Sequence, residues 1–338
     1  MKRISSFEWG RMLALFAVII IHAKPFMTLP VIDDQPWVGM ILNQLNRFAV
    51  PLFFLLAGYF IQPRLTVSPI QTLLRYSSSL FKVWVVWSVI SLLIPFNLAI
   101  VAEQGYLAER SGYWNFLLQN PLNTLFEGGL VHLWYIPALL CAVAIASVLI
   151  SFKLEKLIIP AALALYVFGL MAGSYQPVFG VEFAIMTRNG PFFSTLVVVL
   201  GFEIRRNNIR VPLSAAVTLL FSGMILHLTE AYLLIAKGSQ FISHDFLLGT
   251  PIWALGLFFV LQAKPGFGDS PRIMQWSKDV LGVYLCHLLI IIYLMNLSGL
   301  LGISVLLRDL TIIPLTFVLS MLLIRTIDKT PLRNVLLR

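Results

Sequence analysis

The chain contains ten long apolar runs. Each run begins and ends near charged residues, proline or glycine. The runs cover residues 9–29, 48–62, 79–101, 132–151, 157–173, 190–204, 211–236, 245–263, 279–297 and 304–325. A helix needs about 20 apolar residues to cross a bilayer. Only 12% of the residues are charged, against about 25% in soluble domains. The sequence therefore predicts an all-α, polytopic transmembrane helical bundle of about ten spans and excludes a soluble globular protein.

The basic residues are divided unevenly between the two sides of such a bundle. If residue 1 is cytoplasmic, 18 of the 24 Lys and Arg residues lie on the cytoplasmic side, Lys2, Arg3 and Arg338 among them, and 6 lie on the other side. This bias is typical of membrane proteins. We therefore expect both termini in the cytoplasm and interpret the net charge of +9 as topology, not nucleic-acid binding. No repeat or linker interrupts the pattern, so residues 1–338 are predicted to form one integral-membrane domain.

Polar residues inside the first apolar run are the first candidates for function. Arg11 and His22 are eleven positions apart, about three helical turns, so both side chains lie on one face. Ionisable groups within a span usually line a cavity or pair with each other, and Glu8 is placed one turn before Arg11 to pair with it. Two plainer interpretations stay open: His22 bonds to a neighbouring span, and Arg11 is a topology anchor.

Five short motifs, in order along the chain, resemble the acyltransferase-3 family of integral-membrane O-acyltransferases. They are Glu8-Trp9-Gly10-Arg11 with His22, the "VPLFF" segment at 50–59, the "HLWY" segment at 132–135, residues 187–190 with Gly201, and the "YLCH" segment at 284–287. The pattern is most similar to the subgroup that includes the enterobacterial common antigen O-acetyltransferase. Ala57 replaces the usual serine of the second motif. Where family members often have an Arg-x-x-Arg pair, this chain has Arg75 and Lys82, seven residues apart.

The resemblance implies a membrane O-acyltransferase that uses acetyl-CoA. A histidine titrates near neutral pH and suits a general base, so we assign that role to His22, with Arg11 and Glu8 as its catalytic neighbours. A nucleophilic route, in which His22 accepts the acyl group and passes it on, is an open alternative. Because acetyl-CoA is a cytosolic polyanion, Arg11, Arg75 and Lys82 are predicted to bind it; Arg75 and Lys82 are equally explained as topology determinants. No metal-ligand spacing occurs, so no metal is expected.

A second set of residues is predicted to bind the acceptor near the outer face. A polyol acceptor fits the hydrogen-bonding groups and aromatic rings there, which are Arg47, His132, Trp134, Tyr135, Arg188 and His287. Each has an ordinary interpretation as well, as a loop polar group, an interfacial aromatic or an interhelical hydrogen bond. The expected partners are a glycan or lipid-linked sugar acceptor and membrane lipids, without nucleic acid.

The sequence thus predicts an enzyme of a bacterial inner membrane that acylates a sugar hydroxyl of an envelope or lipid-linked glycan. A competing class is a transporter or glycolipid flippase that uses the same His, Arg and Glu residues as a relay. No pair of similar halves is visible in the sequence, and the ordered motifs favour the enzyme. A membrane sensor without catalysis is the third alternative.

Overall fold

A computed structural model describes residues 4–29 and 31–337. Lys2, Arg3 and Arg338, which contribute to the charge bias, lie outside the described residues. Within the described ranges the chain is helical, and the only strand-like contact is an isolated bridge between Ile32 and Gln35. The all-α prediction is confirmed.

The helices of the first half alternate between long apolar segments and short connecting ones. They are α1 (Ser5–Ala23), α2 (Trp37–Gln44), α3 (Ala49–Val67), α4 (Pro69–Leu93), α5 (Leu98–Gln104), α6 (Tyr106–Gln119), α7 (Pro121–Glu127) and α8 (Tyr135–Ser151). The helices of the second half are α9 (Ile158–Met171), α10 (Gln176–Phe179), α11 (Pro191–Arg206), α12 (Leu213–Leu233), α13 (Gly249–Ala263), α14 (Pro271–Trp276), α15 (Val280–Leu300), α16 (Val305–Asp328) and α17 (Arg333–Leu336). Single 3₁₀ turns cover Val131–Trp134, Glu155–Leu157, Leu234–Lys237 and Phe241–Ser243.

Seven segments of the described chain are long and apolar enough to cross a membrane. They are Ser5–Ala23, Trp37–Val67, Pro69–Leu93, Val131–Ser151, Leu213–Lys237, Val280–Leu300 and Val305–Asp328. The other three predicted crossings correspond to α9, α11 and α13, which have 14, 16 and 15 residues. Helices of that length are shorter than an untilted crossing of about 20 residues. The structure supports a multi-pass membrane protein, and the predicted count of ten is not confirmed.

Helix α1 lies between the two largest groups of buried apolar side chains. Phe7 and Ala14 pack in one group with residues of α3, α8, α11 and α13. Leu15 and Ile19, on the opposite face, pack in the other with residues of α15 and α16. Because α1 packs against both groups, Ser6 and Glu8 on its first turns are buried inside the bundle.

Helices α3 and α11 touch through glycine. A Cβ atom on Gly58 would lie 1.9 Å from the Val198 carbonyl oxygen, and one on Gly201 would lie 2.0 Å from the Leu55 carbonyl oxygen. Backbones approach this closely in membrane bundles when the interface has small residues. The rings of Phe54 and Phe193 meet at one end of the contact, and Arg205 donates to the Tyr59 hydroxyl at 3.0 Å at the other end, so the chain directions of the two helices are parallel.

The third predicted run, 79–101, is broken in the structure. Helix α4 begins at Pro69 and ends at Leu93, and the chain then turns into α5. Pro95 has no backbone N–H and ends the helical ladder. The next two backbone N–H groups, of Phe96 and Asn97, donate to the Glu109 carboxylate at 2.8 and 3.1 Å. The break is therefore stabilised by α6.

A buried ion pair anchors helix α6. Arg110 is fully buried, is paired with Glu109 and donates to the Ser91 carbonyl at 3.2 Å. Its guanidinium lies 4.4 Å from the ring centre of Phe96 and 5.0 Å from that of Tyr113. These contacts attach α6 to the end of α4.

Candidate active site

Three histidine rings meet at the end of α1. His22 lies on the last turn of α1, His132 on the 3₁₀ turn before α8, and His287 on α15. Ring centres are separated by 5.2 Å for His22 and His287, 5.0 Å for His132 and His287, and 6.2 Å for His22 and His132. His132 and His287 are buried and His22 is half-buried. The sequence placed these residues in separate roles, and the fold brings them into one cluster, here called the histidine cluster.

Backbone carbonyls determine the tautomers of two of these histidines. Nε2 of His132 lies 3.1 Å from the Leu285 carbonyl oxygen, and Nδ1 of His287 lies 2.7 Å from the Tyr284 carbonyl oxygen. A carbonyl oxygen only accepts, so each of these nitrogens is the protonated one. The other nitrogens, Nδ1 of His132 and Nε2 of His287, are buried and have no hydrogen-bond partner among the described residues. Each neutral ring therefore presents an unused lone pair.

The two charged residues of α1, Glu8 and Arg11, lie at its opposite end. Glu8 is buried, and its carboxylate lies 3.3 Å from the Arg11 guanidinium. That guanidinium also lies 5.1 Å from the ring centre of Phe60. The expected pairing of Glu8 with Arg11 is present, three turns from the histidine cluster.

A large cavity occupies the space between Arg11 and the histidine cluster. Its volume is about 1190 Å³, and α1, α3, α4 and α15 provide most of its wall. Its cationic lining residues are Arg11, Arg64, Arg75 and Lys278. Tyr135 and Tyr284 line the end that faces the histidines. The cavity is thus basic at one end and aromatic at the other.

Tyr284 separates the cavity from the histidine cluster. Its hydroxyl donates to the His132 carbonyl oxygen. Its ring centre lies 5.5 Å from that of His132 and 6.0 Å from that of His287. His22 does not itself line the cavity, so a single aromatic layer lies between them.

A network of ion pairs lies on the other side of the histidine cluster. Asp245 accepts from Arg47 at 2.5 Å and from Arg188 at 2.9 Å, and Arg188 also donates to Glu127 at 2.8 Å. Both guanidinium groups are near enough to His22 for a direct electrostatic interaction. The four charges cancel, and all four side chains remain partly exposed, between 13% and 27%.

Buried polar atoms without partners border this network. Both ring nitrogens of His244 lack a hydrogen-bond partner in the described part of the chain, and so does Oδ1 of Asn189. Burial lowers the pKa of His244 to about 4, with a smaller effect from Arg47, so its ring is neutral at pH 7. An unsatisfied buried polar group costs about 1–3 kcal/mol. A hydroxyl-rich ligand or ordered water would remove that cost, which fits the polyol acceptor expected here.

The structure separates the predicted site residues into two groups. His22, His132, His287, Arg47 and Arg188 come together around the histidine cluster. Arg11 and Arg75 line the cavity. Tyr135, which was predicted to bind the acceptor, also lines the cavity.

Two residues that were predicted to bind substrates, Trp134 and Lys82, lie outside both groups. Trp134 is buried among apolar residues, with its ring 6.2 Å from Phe54 and 6.4 Å from Phe193. Lys82 is not among the residues that line the cavity, and its amine donates to the Asn334 carbonyl at 2.5 Å. Nothing in the described structure brings either side chain to the histidines.

The sequence interpretation missed two cationic residues of the site. Arg64 and Lys278 line the cavity, and Glu127 and Asp245 balance the two arginines. Arg64 and Lys278 look like ordinary anchors at the ends of apolar runs, so only the tertiary fold identifies them. Among the described residues no group of three His, Cys, Asp or Glu side chains is arranged to hold a metal ion.

Comparison with known proteins supports acyl-transfer chemistry. The family model of the acyltransferase-3 family, described as an acyltransferase domain, matches residues 4–325. An amino-acid racemase of Enterococcus faecalis is 26% identical over 339 residues, 95% of this chain and 46% of that protein. A serine/alanine racemase of Enterococcus gallinarum is 28% identical over 285 residues, 79% of this chain and 36% of that protein. The chain spans less than half the length of these curated relatives, and no solved structure matches it. The enterobacterial common antigen subgroup is not confirmed by these relatives.

Proposed function

The chain belongs to the acyltransferase-3 family, and from that premise we propose that it transfers an acetyl group from cytosolic acetyl-CoA to a sugar hydroxyl of an envelope or lipid-linked glycan. One observation is the main support for this proposal. A basic cavity and an ion-paired polar region lie on opposite sides of one histidine cluster. A donor and an acceptor can therefore bind on two sides of the same imidazole, and the Tyr284 ring, which separates the cavity from the histidines, must move before they react.

The cavity suits the donor. Acetyl-CoA has several phosphate groups, and guanidinium groups bind phosphate by charge-assisted hydrogen bonds. Arg11, Arg64, Arg75 and Lys278 line the cavity. Its volume of about 1190 Å³ exceeds the roughly 300–1,000 Å³ of drug-sized ligand sites. We assign the phosphates to these cations and the thioester to the end at Tyr135 and Tyr284.

His22 acts as general base in this proposal. It takes the proton of the acceptor hydroxyl while that oxygen attacks the thioester carbonyl carbon. The C–O bond forms, the C–S bond breaks, and His22 returns the proton to the departing thiolate, which leaves as CoA. A preceding acetyl-His22 intermediate would use the same cavity and the same acceptor region.

We also propose that the chain crosses the membrane ten times, with both ends in the cytoplasm of a bacterial inner (plasma) membrane. Each of the three short helices lies beside a longer one. Helix α11 runs parallel to α3, α13 runs antiparallel to α12 through the contacts of Gly223 with Trp253 and Gly256 with Leu220, and α9 lies against α11. A helix of 14–16 residues can cross where the bilayer thins locally.

The first experiment measures acetyl transfer directly. Purified protein is incubated with labelled acetyl-CoA and a panel of methyl glucoside, N-acetylglucosamine, extracted envelope glycolipid and L-serine. Serine is included because the curated relatives are named for amino acids. Labelled product with wild type and none with His22→Ala, at equal expression, would support the proposal. Solute accumulation in proteoliposomes without any covalent product would favour the transporter instead.

A further inference from the structure

The histidine cluster contains two buried lone pairs that no part of the described chain uses. They belong to Nδ1 of His132 and Nε2 of His287. Both rings are fully buried, at 1% and 0% exposure. Their tautomers are fixed because each opposite nitrogen donates to a backbone carbonyl. Two acceptors of known orientation are therefore kept next to His22.

Such an arrangement needs a donor. An unsatisfied buried acceptor costs about 1–3 kcal/mol, and nearly all buried polar side-chain atoms in proteins have partners. His22 has ring contacts with both histidines and no hydrogen bond within the described residues. Catalytic hydrogen bonds are often long before substrate binds and shorten in the reacting complex. An N–H on His22, whose ring contacts both histidines, is a donor that these lone pairs can receive.

We infer that His287 and His132 are positioning residues that accept the N–H of His22 and stabilise its protonated form during acyl transfer. This inference rests on the proposed function. His22 takes the hydroxyl proton on one ring nitrogen, and the hydrogen on its other nitrogen is held by the lone pair of His287, the nearer ring. The lone pair of His132 also stabilises the protonated form of His22. Neither positioning histidine gains or loses a proton, and His22 returns its proton to the thiolate of CoA.

Amide substitutions separate this role from a structural one. The amide group of Asn lies near the place of a histidine Nδ1, and that of Gln near the place of Nε2. His287→Gln and His132→Asn thus put an acceptor oxygen where the free lone pair was. His287→Asn and His132→Gln instead keep a donor for the Tyr284 and Leu285 carbonyls. The four variants form two matched pairs with opposite expectations.

The assay is transfer from labelled acetyl-CoA to methyl glucoside by the full-length protein in detergent, together with the acetyl content of envelope glycans in cells. We expect His287→Gln and His132→Asn to keep kcat within about tenfold of wild type. His287→Asn and His132→Gln should lose on the order of 100-fold in kcat, the size of a general acid–base contribution. The KM for acetyl-CoA should be unchanged in all four.

The two variants expected to be inactive preserve the carbonyl hydrogen bonds, so they are also the ones expected to fold best. Elution profile and melting temperature in detergent provide that check. The reverse ranking, or equal losses for the Gln and Asn variants at the same position, would overturn the inference and leave a structural role for both histidines. A wild-type protein that transfers no acetyl group in either assay would instead refute the proposed function itself.

Discussion

At the scale of single residues, the cavity distinguishes two cations that the sequence treats alike. Arg75 lines the cavity, whereas Lys82, two turns further along α4, binds the Asn334 carbonyl. We expect Arg75→Ala to raise the KM for acetyl-CoA about tenfold, because a charge-assisted hydrogen bond contributes about 1.5–3 kcal/mol. Lys82→Ala is the matched control and should leave that KM unchanged. Steady-state kinetics with varied acetyl-CoA make the measurement, and equal effects of the two variants would contradict this donor site.

A second residue-scale prediction concerns Glu109 and pH. Hydrogen bonds from the Arg110 side chain, together with backbone N–H groups of Phe96 and Asn97, lower the pKa of Glu109 against the opposing effect of burial. A lowered carboxyl pKa stabilises the fold above the unfolded value of about 4.3, and that stabilisation is lost as the pH falls through the folded pKa. Attachment of α6 to α4 should therefore weaken below about pH 4.3.

Hydrogen exchange over residues 98–119, corrected for the intrinsic rate at each pH, tests this expectation. Glu109→Gln should increase the exchange rate at pH 7, because Arg110 loses its ionised partner. The exchange rate of this variant should also change less as the pH falls. Glu103→Gln, at an exposed position of α5, is the control and should behave as wild type. Unchanged acid sensitivity in Glu109→Gln would show that another group is responsible.

The sequence predicted some site residues better than others for a physical reason. Arg11 and His22 lie on one helix, where a spacing of eleven residues determines a shared face. The meeting of His22 with His132 and His287 depends on how three separate helices pack, and apolar periodicity contains no information about that. Trp134 fits an interfacial aromatic by composition, yet its ring is buried against Phe54 and Phe193.

At the scale of helices, the apolar pattern located the elements and misjudged some boundaries. Helix α4 begins at Pro69, ten residues before the predicted run, because Arg75 interrupts the hydropathy without interrupting the helix. Pro95 and the carboxylate of Glu109 then end it early. Hydropathy records where lipid contact is favourable, whereas a helix boundary depends on where the backbone hydrogen bonds stop.

The contact of α3 with α11 yields a prediction at the same scale. Gly201→Ala would place a Cβ 2.0 Å from the Leu55 carbonyl oxygen, and the two backbones would have to separate. We expect a loss of about 1–3 kcal/mol, the usual cost of overpacking. Gly112→Ala, in α6 with no atom within 4 Å of the added Cβ, should be neutral or stabilising. Melting in detergent compares them, and equal stability of the two variants would contradict the tight contact.

At the scale of the whole molecule, the number of crossings determines where the ends lie. Seven crossings put the two termini on opposite sides of the membrane, and ten put them on the same side. The difference lies in α9, α11 and α13. If all three cross, the connection between α10 and α11 is outside and that between α13 and α14 is inside. If none crosses, both connections change sides.

Single cysteines therefore decide between the two topologies. With Cys141 and Cys286 replaced by alanine, we expect Glu182→Cys to react with a membrane-impermeant maleimide on intact cells and Gly266→Cys to react only after permeabilisation. Seven crossings predict the reverse at both positions. Lys237→Cys, outside in either topology, and Asn208→Cys, inside in either, are the internal controls. All four positions are exposed, so a lack of labelling on intact cells reports the side of the membrane. Labelling of Gly266→Cys from outside would also place the Lys278 end of the cavity away from cytosolic acetyl-CoA, and the proposed direction of acyl transfer would then be wrong.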